Sequence, residues 1–455
     1  MQPLHKVPRK LHIAALLALL VFLCYGNSFN ASFQYDDYGI VFDTDWNTPD
    51  YLLHTLRYMP QRFVLFSSFA LNYHLNGYNV TGYHLFNTLV HAISTILVFL
   101  IALRLFEHDS DKCPKDAADP SMLAAFAVGA LFGSHTILTQ SVTYIQGRSS
   151  SLCTLFYLAG FYFYSTSAGA ENSPTACGSG KKTAPRLFLA TVAFILACMT
   201  KEIGTTLVAV LLAFEFIYVL KFRPSRLRRS TIIRLTPFVL VSAAAFMFRI
   251  LTYGTIGEAR PIRDFWPNLF TQFSGIVTYI RMLIVPIGLT IDHDYPVYQS
   301  LFELRVIASL VLLCGLLAAA IIMARRIRSF TFGFSWFAIT LLPTTLVPLW
   351  DIISEHWIYL PSVGYFLMVG GLFRELLRHY EPHSRKRRAA IGIMLTAVFL
   401  YGTATIVRNT VWRHEFTLWS DAVRKSPNKS RPHTNLARTL VKMGEVQSAI
   451  EELRI

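Results

Sequence analysis

Long apolar runs recur along the whole length of this 455-residue chain. A helix needs about 20 predominantly apolar residues to cross the hydrocarbon core of a bilayer, where every backbone hydrogen bond must be made within the segment. Only 15% of the residues are charged, fewer than a soluble protein of this size carries. The sequence therefore predicts an all-α polytopic membrane protein. We expect eleven spans, near residues 12–29, 83–106, 121–139, 150–167, 187–202, 203–220, 235–252, 302–323, 330–349, 356–374 and 389–407.

Two apolar segments allow more than one interpretation. The run at 12–29 has the position of a signal peptide, but it is long, lacks a small-x-small cleavage site and precedes many other spans, so we expect a helix. The stretch at 269–290 is interrupted by Arg281 and Pro286. It fits a twelfth span, a re-entrant segment or an amphipathic helix lying on the membrane surface.

The distribution of basic residues orients the chain. With eleven spans, the basic clusters fall in loops on the N-terminal side, as the positive-inside rule requires of cytoplasmic loops. These clusters are Lys6, Arg9 and Lys10; Lys221, Arg223, Arg226, Arg228 and Arg229; Arg325, Arg326 and Arg328; and Arg385, Lys386, Arg387 and Arg388. A twelfth crossing would move the last two clusters to the other side. We therefore expect 253–301 to be one external loop that contains an interfacial helix.

This orientation places the N-terminus in the cytoplasm and the C-terminus in a periplasm or an organelle lumen. A bacterial inner membrane is the favoured location, or the endoplasmic reticulum membrane in a eukaryote. The net charge of +15 then reflects topology and contact with anionic lipid head groups. No basic stripe on a soluble module indicates a nucleic-acid partner.

Ionisable side chains collect at the predicted external helix ends and loops. They are Asp36 and Asp37, Arg62, Arg148, Lys201 and Glu202, Asp292, His293 and Asp294, and Glu355 with His356. Each one alone is typical of an interfacial residue or an internal ion pair. Acids and bases from six sequence segments on one face instead suit a site that holds a phosphate with Arg and Lys while a carboxylate takes a proton from a hydroxyl.

Roles follow from that chemistry. We expect Asp37 to be the general base and Asp36 its partner, or the reverse, in a site between the first external loop and the 253–301 loop. We expect three cations to lie near the donor phosphate, namely Arg62, Arg148 and Lys201. Glu202, Asp294 and Glu355 would either orient those cations or bind a divalent metal ion.

Six sequence blocks follow one another in a characteristic order. They are Tyr35-Asp36-Asp37; Tyr83-His84-Leu85-Phe86-Asn87 with His91; Gly147-Arg148-Ser149; Lys201-Glu202-x-Gly204; the acidic turn Asp292-His293-Asp294; and Glu355 followed by Tyr359-Leu360-Pro361-Ser362. In this order they closely resemble the membrane O-mannosyltransferases with tetratricopeptide repeats that modify cadherins, and their bacterial relatives. These enzymes belong to the GT-C superfamily of glycosyltransferases, and the resemblance covers essentially the whole chain.

The resemblance implies a GT-C fold, a polyprenyl-phosphate sugar donor and inverting transfer to protein hydroxyls. It also implies an acidic catalytic or acceptor-binding residue in the first external loop, which corresponds here to Asp36 and Asp37. Three positions depart from the animal pattern: Phe63 follows Arg62 in place of Pro, His356 replaces a frequent Arg, and Asp292-His293-Asp294 replaces Asp-Trp. The identity of the sugar therefore stays open.

The C-terminal tail has the spacing of tetratricopeptide helices. The interval from Trp419 to Leu453 is 453 − 419 = 34 residues, which is the period of that repeat. An ordinary amphipathic helical hairpin fits this short stretch about as well. We expect a GT-C transmembrane catalytic domain over 1–407, with external loops at 30–82 and 253–301, and TPR-like helices over 408–455 that form a truncated array.

Three other functions fit parts of the pattern. A transporter would place its charges at mid-span, often in broken helices and internal repeats, and neither is evident. A membrane scaffold for the repeats would not need acids and bases in six segments of one face. A GT-C enzyme that glycosylates a lipid or a glycan is the nearest alternative, and the TPR-like tail favours a protein acceptor.

Overall fold

The computed structural model describes residues 9–42, 46, 49–109, 120–170, 183–253 and 262–454. Helices are the regular elements of this part of the chain, and no strand occurs in these ranges, in agreement with the predicted all-α class. The α-helices, in chain order, are α1 (Arg9–Tyr25), α2 (Asp36–Val41), α3 (Pro49–Tyr58), α4 (Phe63–Asn76), α5 (Val80–Asp109), α6 (Ser121–Ser134), α7 (Thr139–Val142), α8 (Arg148–Ala170), α9 (Thr183–Cys198), α10 (Leu207–Phe214), α11 (Arg229–Tyr253), α12 (Phe265–Ile284), α13 (Leu304–Met323), α14 (Arg328–Leu346), α15 (Tyr359–His379), α16 (Arg385–Val411), α17 (Glu415–Lys425), α18 (Ser430–Lys442) and α19 (Val446–Leu453).

The described chain is that of a multi-pass membrane protein. Within the described ranges, eight helical segments are long and apolar enough to cross a bilayer, and a ninth crossing results if Ser121–Ser134 and Thr136–Val142, bent by 48°, form one span. The eight are Arg9–Ser28, Val80–Asp109, Glu202–Val219, Arg229–Thr252, Leu304–Met323, Arg328–Leu346, Glu355–His379 and Arg385–Val411. The helices α8 and α9 coincide with two further expected spans but are not among the eight, so the count of eleven stays a prediction.

Small residues allow the membrane helices to approach closely. Between α14 and α15, a side chain added at Gly333 would collide with the carbonyl oxygen of Gly364, and one added at Gly364 would collide with the backbone of Gly333. Backbone contact of this kind maximises dispersion contacts in a lipid environment, where helix association gains little from the hydrophobic effect. The same two helices also bring Trp336 to the backbone carbonyl of Leu360, to which its indole N–H donates at 3.0 Å.

The expected external segments contain short helices. The first loop carries α2, α3 and α4, and the 253–301 loop carries α12, which is amphipathic and is not among the candidate spans. The polar face of α12 packs against the chain after α14, since Gln272 donates to the carbonyl of Ile352 at 2.8 Å. Lys6 and residues 254–261 lie outside the described residues.

The last three helices form a small cluster of their own. Their shared core consists of Trp419, Ala422, Leu436, Ala437, Leu440 and Ala449, and Trp419 is the residue at which the 34-residue interval begins. A glycine with φ of +87°, Gly444, forms the turn between α18 and α19. Each of these helices packs against the next one in sequence, and the assignment to the tetratricopeptide repeat, with the domain boundary at 407, stays a prediction.

Candidate functional site

The two aspartates of the first loop have different environments. Asp37 is 1% exposed, and its two carboxylate oxygens accept hydrogen bonds from the backbone N–H groups of Gln34 and Gln146, both at 2.8 Å. Burial raises the pKa of Asp37 to about 8, although these N–H groups and the nearby charge of Arg148 favour the carboxylate. Asp37 thus fastens the first loop to the segment that leads into α8.

Asp36, in contrast, is exposed to a cavity. Its backbone N–H donates to the phenol oxygen of Tyr144 at 3.2 Å, which fixes the first turn of α2. Partial burial raises the pKa of Asp36, while a hydrogen bond from Tyr144 and the positive charge of Arg431 oppose that rise and the negative charge of Asp351 adds to it. The carboxylate of Asp36 is therefore accessible and basic, two requirements for a general base.

The cavity that Asp36 lines has a volume of about 820 Å³ and lies between the first loop and the C-terminal helices. Lys442 on its wall pairs with Glu415 at 2.9 Å and lies 4.9 Å from the ring centre of Tyr38. Its lining residues are Tyr35, Asp36, Tyr38, Gly39, Ile40, Gln146, Glu415, Trp419, Thr434, Asn435, Ala437, Arg438, Thr439, Val441, Lys442 and Leu453. Such a mixture of aromatic, amide and charged groups suits a peptide with polar side chains.

A second group of predicted site residues forms a cationic cluster. Arg62 binds Glu202 at 3.0 Å, with the two side chains 29% and 42% exposed, so neither is locked in the interior. Lys201 donates from its ammonium group to the hydroxyl of Ser150 at 2.9 Å, and its strongest charged neighbours are Arg62 and Glu202. Both cations also lie close enough to His356 to act electrostatically on its ring.

His356 is held by its own hydrogen bonds. Its ring nitrogen Nδ1 contacts the hydroxyl of Ser354 at 2.7 Å, and its backbone N–H donates to the amide oxygen of Gln140 at 2.8 Å. The ring therefore has a defined orientation beside the cluster. Arg62, Lys201 and His356 together offer donor groups of the kind that bind a phosphate.

Arg148 occupies a different position from the one expected for a phosphate ligand. Its guanidinium is fully buried between the rings of Phe69 and Phe86, each 4.3 Å away, and donates to the side chain of Asn87 at 2.7 Å and the carbonyls of Ser68 and Tyr83, both at 3.2 Å. A donor phosphate would have to displace these partners. Arg148 instead joins α4, α5 and α8 behind the site.

One short segment connects the aspartates to the cationic cluster. Gln146 donates to Asp37, and Ser150 accepts from Lys201, so four residues of chain separate the two contacts. Even a fully extended chain covers no more than about 14 Å over that length. The acidic and basic groups therefore lie on either side of one helix start.

The acidic turn at 292–294 holds the C-terminal helices in place. Asp292 pairs with Lys429 and, at 3.1 Å, with Arg431. Asp294 accepts from Asn428 at 3.3 Å, and Arg431 reaches on to Asp351 at 2.6 Å. This ionic contact fixes the wall of the cavity that faces Asp36.

Glu355 and His293 bind each other. One oxygen of the buried Glu355 carboxylate accepts from the backbone N–H of Thr290 at 2.6 Å and contacts the ring of His293 at 3.1 Å. Glu202, Asp294 and Glu355 thus each have a different protein partner and do not share one centre. No group of three or more His, Cys, Asp or Glu side chains suited to a metal ion occurs in the described ranges.

His91, which belongs to the second of the six sequence blocks, lies in the core of the helix bundle. It is fully buried on α5, contacts the hydroxyl of Tyr359 at 2.7 Å and lies 3.3 Å from the carbonyl oxygen of Gly133. The structure thus places His91 among helix-packing contacts, away from the cavity lined by Asp36.

Several residues of the site were missed by the sequence interpretation. Ser150 and Gln140 are neutral, so a search for charges passes over them. Lys429, Arg431 and Asp351 are charged, but two of them lie in the tail, which was examined only for repeat spacing. A charge count of the residues from the end of α17 to the first turn of α18 would have found the basic pair, although not its partners.

Comparisons with known proteins give consistent matches. No family model matches the chain. The chain is 24% identical to protein O-mannosyl-transferase TMTC4 of Homo sapiens, over 94% of this chain and 64% of that protein. It is 24% identical to protein O-mannosyl-transferase Tmtc3 of Drosophila melanogaster, over 94% and 53%, and 23% identical to protein O-mannosyl-transferase TMTC1 of Homo sapiens, over 97% and 54%.

The resemblance that the motif blocks indicated is thereby confirmed over nearly the whole chain. The chain spans about half to two thirds of the length of these relatives. All three come from animals, so the preference for a bacterial inner membrane has no support in these comparisons.

Proposed function

We propose that this chain is an integral membrane glycosyltransferase. It moves a hexose from a polyprenyl-phosphate donor to Ser or Thr hydroxyls of extracytoplasmic proteins, with inversion at the sugar. The similar animal proteins are named protein O-mannosyl-transferases, so mannose is the first sugar to test. The proposal places the first loop and the C-terminus in a periplasm or lumen and the N-terminus in the cytoplasm.

The observation that carries the proposal is the position of Asp36. Its exposed carboxylate lines the cavity between the first loop and the C-terminal helices, where an acceptor hydroxyl can reach it. Asp37 has both oxygens occupied by backbone N–H groups, which supports a positioning role. We therefore assign the base to Asp36 and the support of the loop to Asp37.

The proposed reaction is a single displacement. The acceptor hydroxyl gives its proton to the Asp36 carboxylate as its oxygen attacks the anomeric carbon, and the bond from that carbon to the phosphate oxygen breaks. The leaving polyprenyl phosphate gains negative charge, which Arg62 and Lys201 stabilise. Attack opposite the departing phosphate inverts the anomeric centre.

The contacts of the three cations support a phosphate-binding role for Arg62 and Lys201 more than for Arg148. Arg62 is partly exposed and its partner Glu202 is more so, so a phosphate can replace or share that contact. The ammonium group of Lys201 donates to one neutral hydroxyl, that of Ser150, and has Arg62 and Glu202 as charged neighbours. Arg148 does not bind the phosphate in this proposal, because its guanidinium already donates to protein acceptors.

The shape of the cavity supports a polypeptide acceptor. Its far wall is built from α17, α18 and α19, and its volume of about 820 Å³ holds several residues of an extended chain. Stacked helical repeats present concave surfaces to extended ligands, and Asn435 and Arg438 on α18 offer hydrogen bonds there.

A transfer assay tests the proposal. Membranes containing the wild-type chain, Asp36→Asn or Asp37→Asn receive labelled polyprenyl-phosphate mannose, with labelled glucose and galactose donors in parallel, and total secreted protein. We expect label in protein hydroxyls with the wild type and near-background transfer with Asp36→Asn. Label that accumulates in lipid or free glycan would reassign the acceptor, and undiminished transfer by both variants would refute the catalytic assignment.

A further inference from the structure

A second cavity, distinct from the proposed active site, lies at the far end of the membrane bundle. It has a volume of about 300 Å³ and is lined by Lys221, Phe222, Arg223, Arg226, Arg325 and Arg328. Five of these six residues are cations and none is an acid. The segment Glu202–Val219 separates it from Lys201, which corresponds to about 27 Å of helix.

Two connections that are far apart in sequence build this cavity. One follows the segment Glu202–Val219, and the other joins α13 to α14. The backbone turns sharply at Lys221 and Phe222, whose φ angles of +50° and +59° are unfavourable for residues with a Cβ atom. The ring of Phe222 packs on Phe216 at 5.4 Å, so this turn is held by packing.

Neighbouring acids offset only part of the positive charge of the cavity. In the described part of the chain, no carboxylate forms an ion pair with Lys221, Arg223, Arg226 or Arg325, and Arg328 lies near Asp109. Cations that converge on a concave surface repel one another, and an anion relieves that repulsion. Guanidinium groups match phosphate oxygens in geometry as well as in charge.

The surroundings place the cavity at the edge of the apolar zone. Ile321 and Ile322 on α13 are 66% and 79% exposed, and Leu227 is 54% exposed, next to the cationic residues. Exposed aliphatic side chains beside basic ones are typical of the boundary between acyl chains and head groups. A phosphate in the cavity would therefore lie at head-group depth.

We propose that this cavity is a binding site for a phosphate group at the membrane surface opposite the proposed active site. The phosphate belongs either to the head group of an anionic lipid or to a free phosphate compound, and the lining residues recognise what the two have in common. The inference does not depend on the proposed glycosyl transfer.

Thermal unfolding of the full chain in neutral detergent tests this site. Three probes are titrated: dioctanoyl phosphatidic acid, dioctanoyl phosphatidylcholine as its zwitterionic control, and inorganic pyrophosphate. We expect phosphatidic acid to raise the Tm in a saturable manner and phosphatidylcholine not to do so. A comparable rise with pyrophosphate identifies free phosphate compounds as ligands, and its absence identifies a lipid head group.

Matched variants separate the cavity from general basic charge. Arg223→Gln/Arg226→Gln/Arg325→Gln removes three charges from the cavity, and Arg385→Gln/Arg387→Gln/Arg388→Gln removes three from the start of α16. We expect the first to weaken apparent affinity roughly 100-fold and the second to change it little. The variant Arg223→Lys/Arg226→Lys keeps both charges, so we expect it to retain most of the wild-type affinity if folding is intact.

Two results would overturn the inference. One is the lack of any saturable Tm rise in the wild type with phosphatidic acid or pyrophosphate. The other is an equal loss of affinity in both triple variants, which would show that the chain responds only to its overall charge. If the cavity variant has a lower Tm before ligand is added, the lysine variant decides, since it keeps the charge.

Discussion

The backbone N–H of Gln146 donates to the carboxylate of Asp37 at 2.8 Å, across 109 residues of chain. This bond joins the first external loop to the start of α8, and the same carboxylate also accepts from Gln34. Asp36, its neighbour in sequence, faces the cavity. Two adjacent acids thus have separable functions, and alanine substitutions should distinguish them.

Asp37→Ala removes the acceptor of two buried N–H groups. We expect it to lower the free energy of unfolding by about 2 to 4 kcal/mol, since each unsatisfied buried group costs about 1 to 3 kcal/mol. Asp36→Ala should change stability by no more than about 0.5 kcal/mol, while transfer falls roughly 100-fold to 10,000-fold. Denaturation in detergent and the transfer assay measure the two effects. Equal stability of both variants would contradict this division of roles.

The stability of the protein should depend on pH through Asp37. Burial raises its pKa to about 8, whereas an aspartate in the unfolded chain titrates near pH 4. The folded state holds the proton more tightly, so the contribution of Asp37 is fully present below about pH 4 and is lost as the pH rises to about 8. Over that interval we expect the Tm of the wild type to fall more steeply than that of Asp37→Asn. Parallel curves would show that Asp37 is ionised throughout.

Arg431 should tune the acid limb of the transfer rate. Its positive charge favours the ionised form of Asp36 and so opposes the rise in the pKa of Asp36 that burial causes. Arg431→Gln removes that charge, so the pKa of Asp36 rises further and the rate should require a higher pH. Lys429→Gln is the control, because Lys429 also anchors the tail to Asp292 without being among the charges that act on Asp36. If the pH dependence of the transfer rate shifts equally in both variants, the cause is the detachment of the C-terminal helices from Asp292 and not the charge of Arg431.

Arg148 and Arg62 should respond differently to lysine substitution. Arg148→Lys loses the fork that reaches three acceptors in the interior, so we expect a loss of at least about 2 kcal/mol in stability. Arg62→Lys keeps a partly exposed charge and should cost no more than about 1 kcal/mol, while the KM for the donor increases. Donor titrations and unfolding curves measure these effects. If Arg148→Lys has normal stability and a raised KM for the donor, Arg148 binds the donor phosphate after all.

Three Asn-x-Ser/Thr sequences offer a test of orientation. Asn30, Asn79 and Asn428 are exposed and belong to segments assigned to the external face. In a chain produced in a eukaryotic secretory pathway, we expect glycans at these positions, each removed by the corresponding Asn→Gln substitution. Mobility on gels before and after glycosidase treatment reports the result. A glycosylation sequence introduced by substitution at 324–326 is the control. Glycans there, with none at the three natural positions, would show that the chain has the opposite orientation.

Much of the membrane architecture follows from the sequence, because long apolar segments must form helices in lipid. The short helices of the first loop and the amphipathic α12 were also predictable from their length and pattern. The partners of the charges were not. Arg148 and Lys201 are both basic residues at predicted external helix ends. The structure nevertheless encloses Arg148 between Phe69 and Phe86, whereas Lys201 donates to Ser150.

The roles of the two aspartates could not be predicted for the same reason. Their order along α2 is evident, but their exposure depends on how the chain at Gln146 and Arg431 packs around them. Long-range contacts of this kind leave no local pattern. The contribution of the tail to the cavity wall was missed because its spacing indicates helices and not what those helices cover.

The cavity is assembled from two parts of the chain that can change independently. Asp36 comes from the first loop, whereas the opposite wall comes from α17–α19, attached through α16 and the ionic contact of Asp292 and Asp351 with Lys429 and Arg431. Under the proposed function, substitutions on that wall would alter which polypeptides fit while the proposed base stays in place. Under the proposed function, an exchange of the C-terminal helices would change the accepted polypeptides, provided that the four ionic residues at the junction are retained.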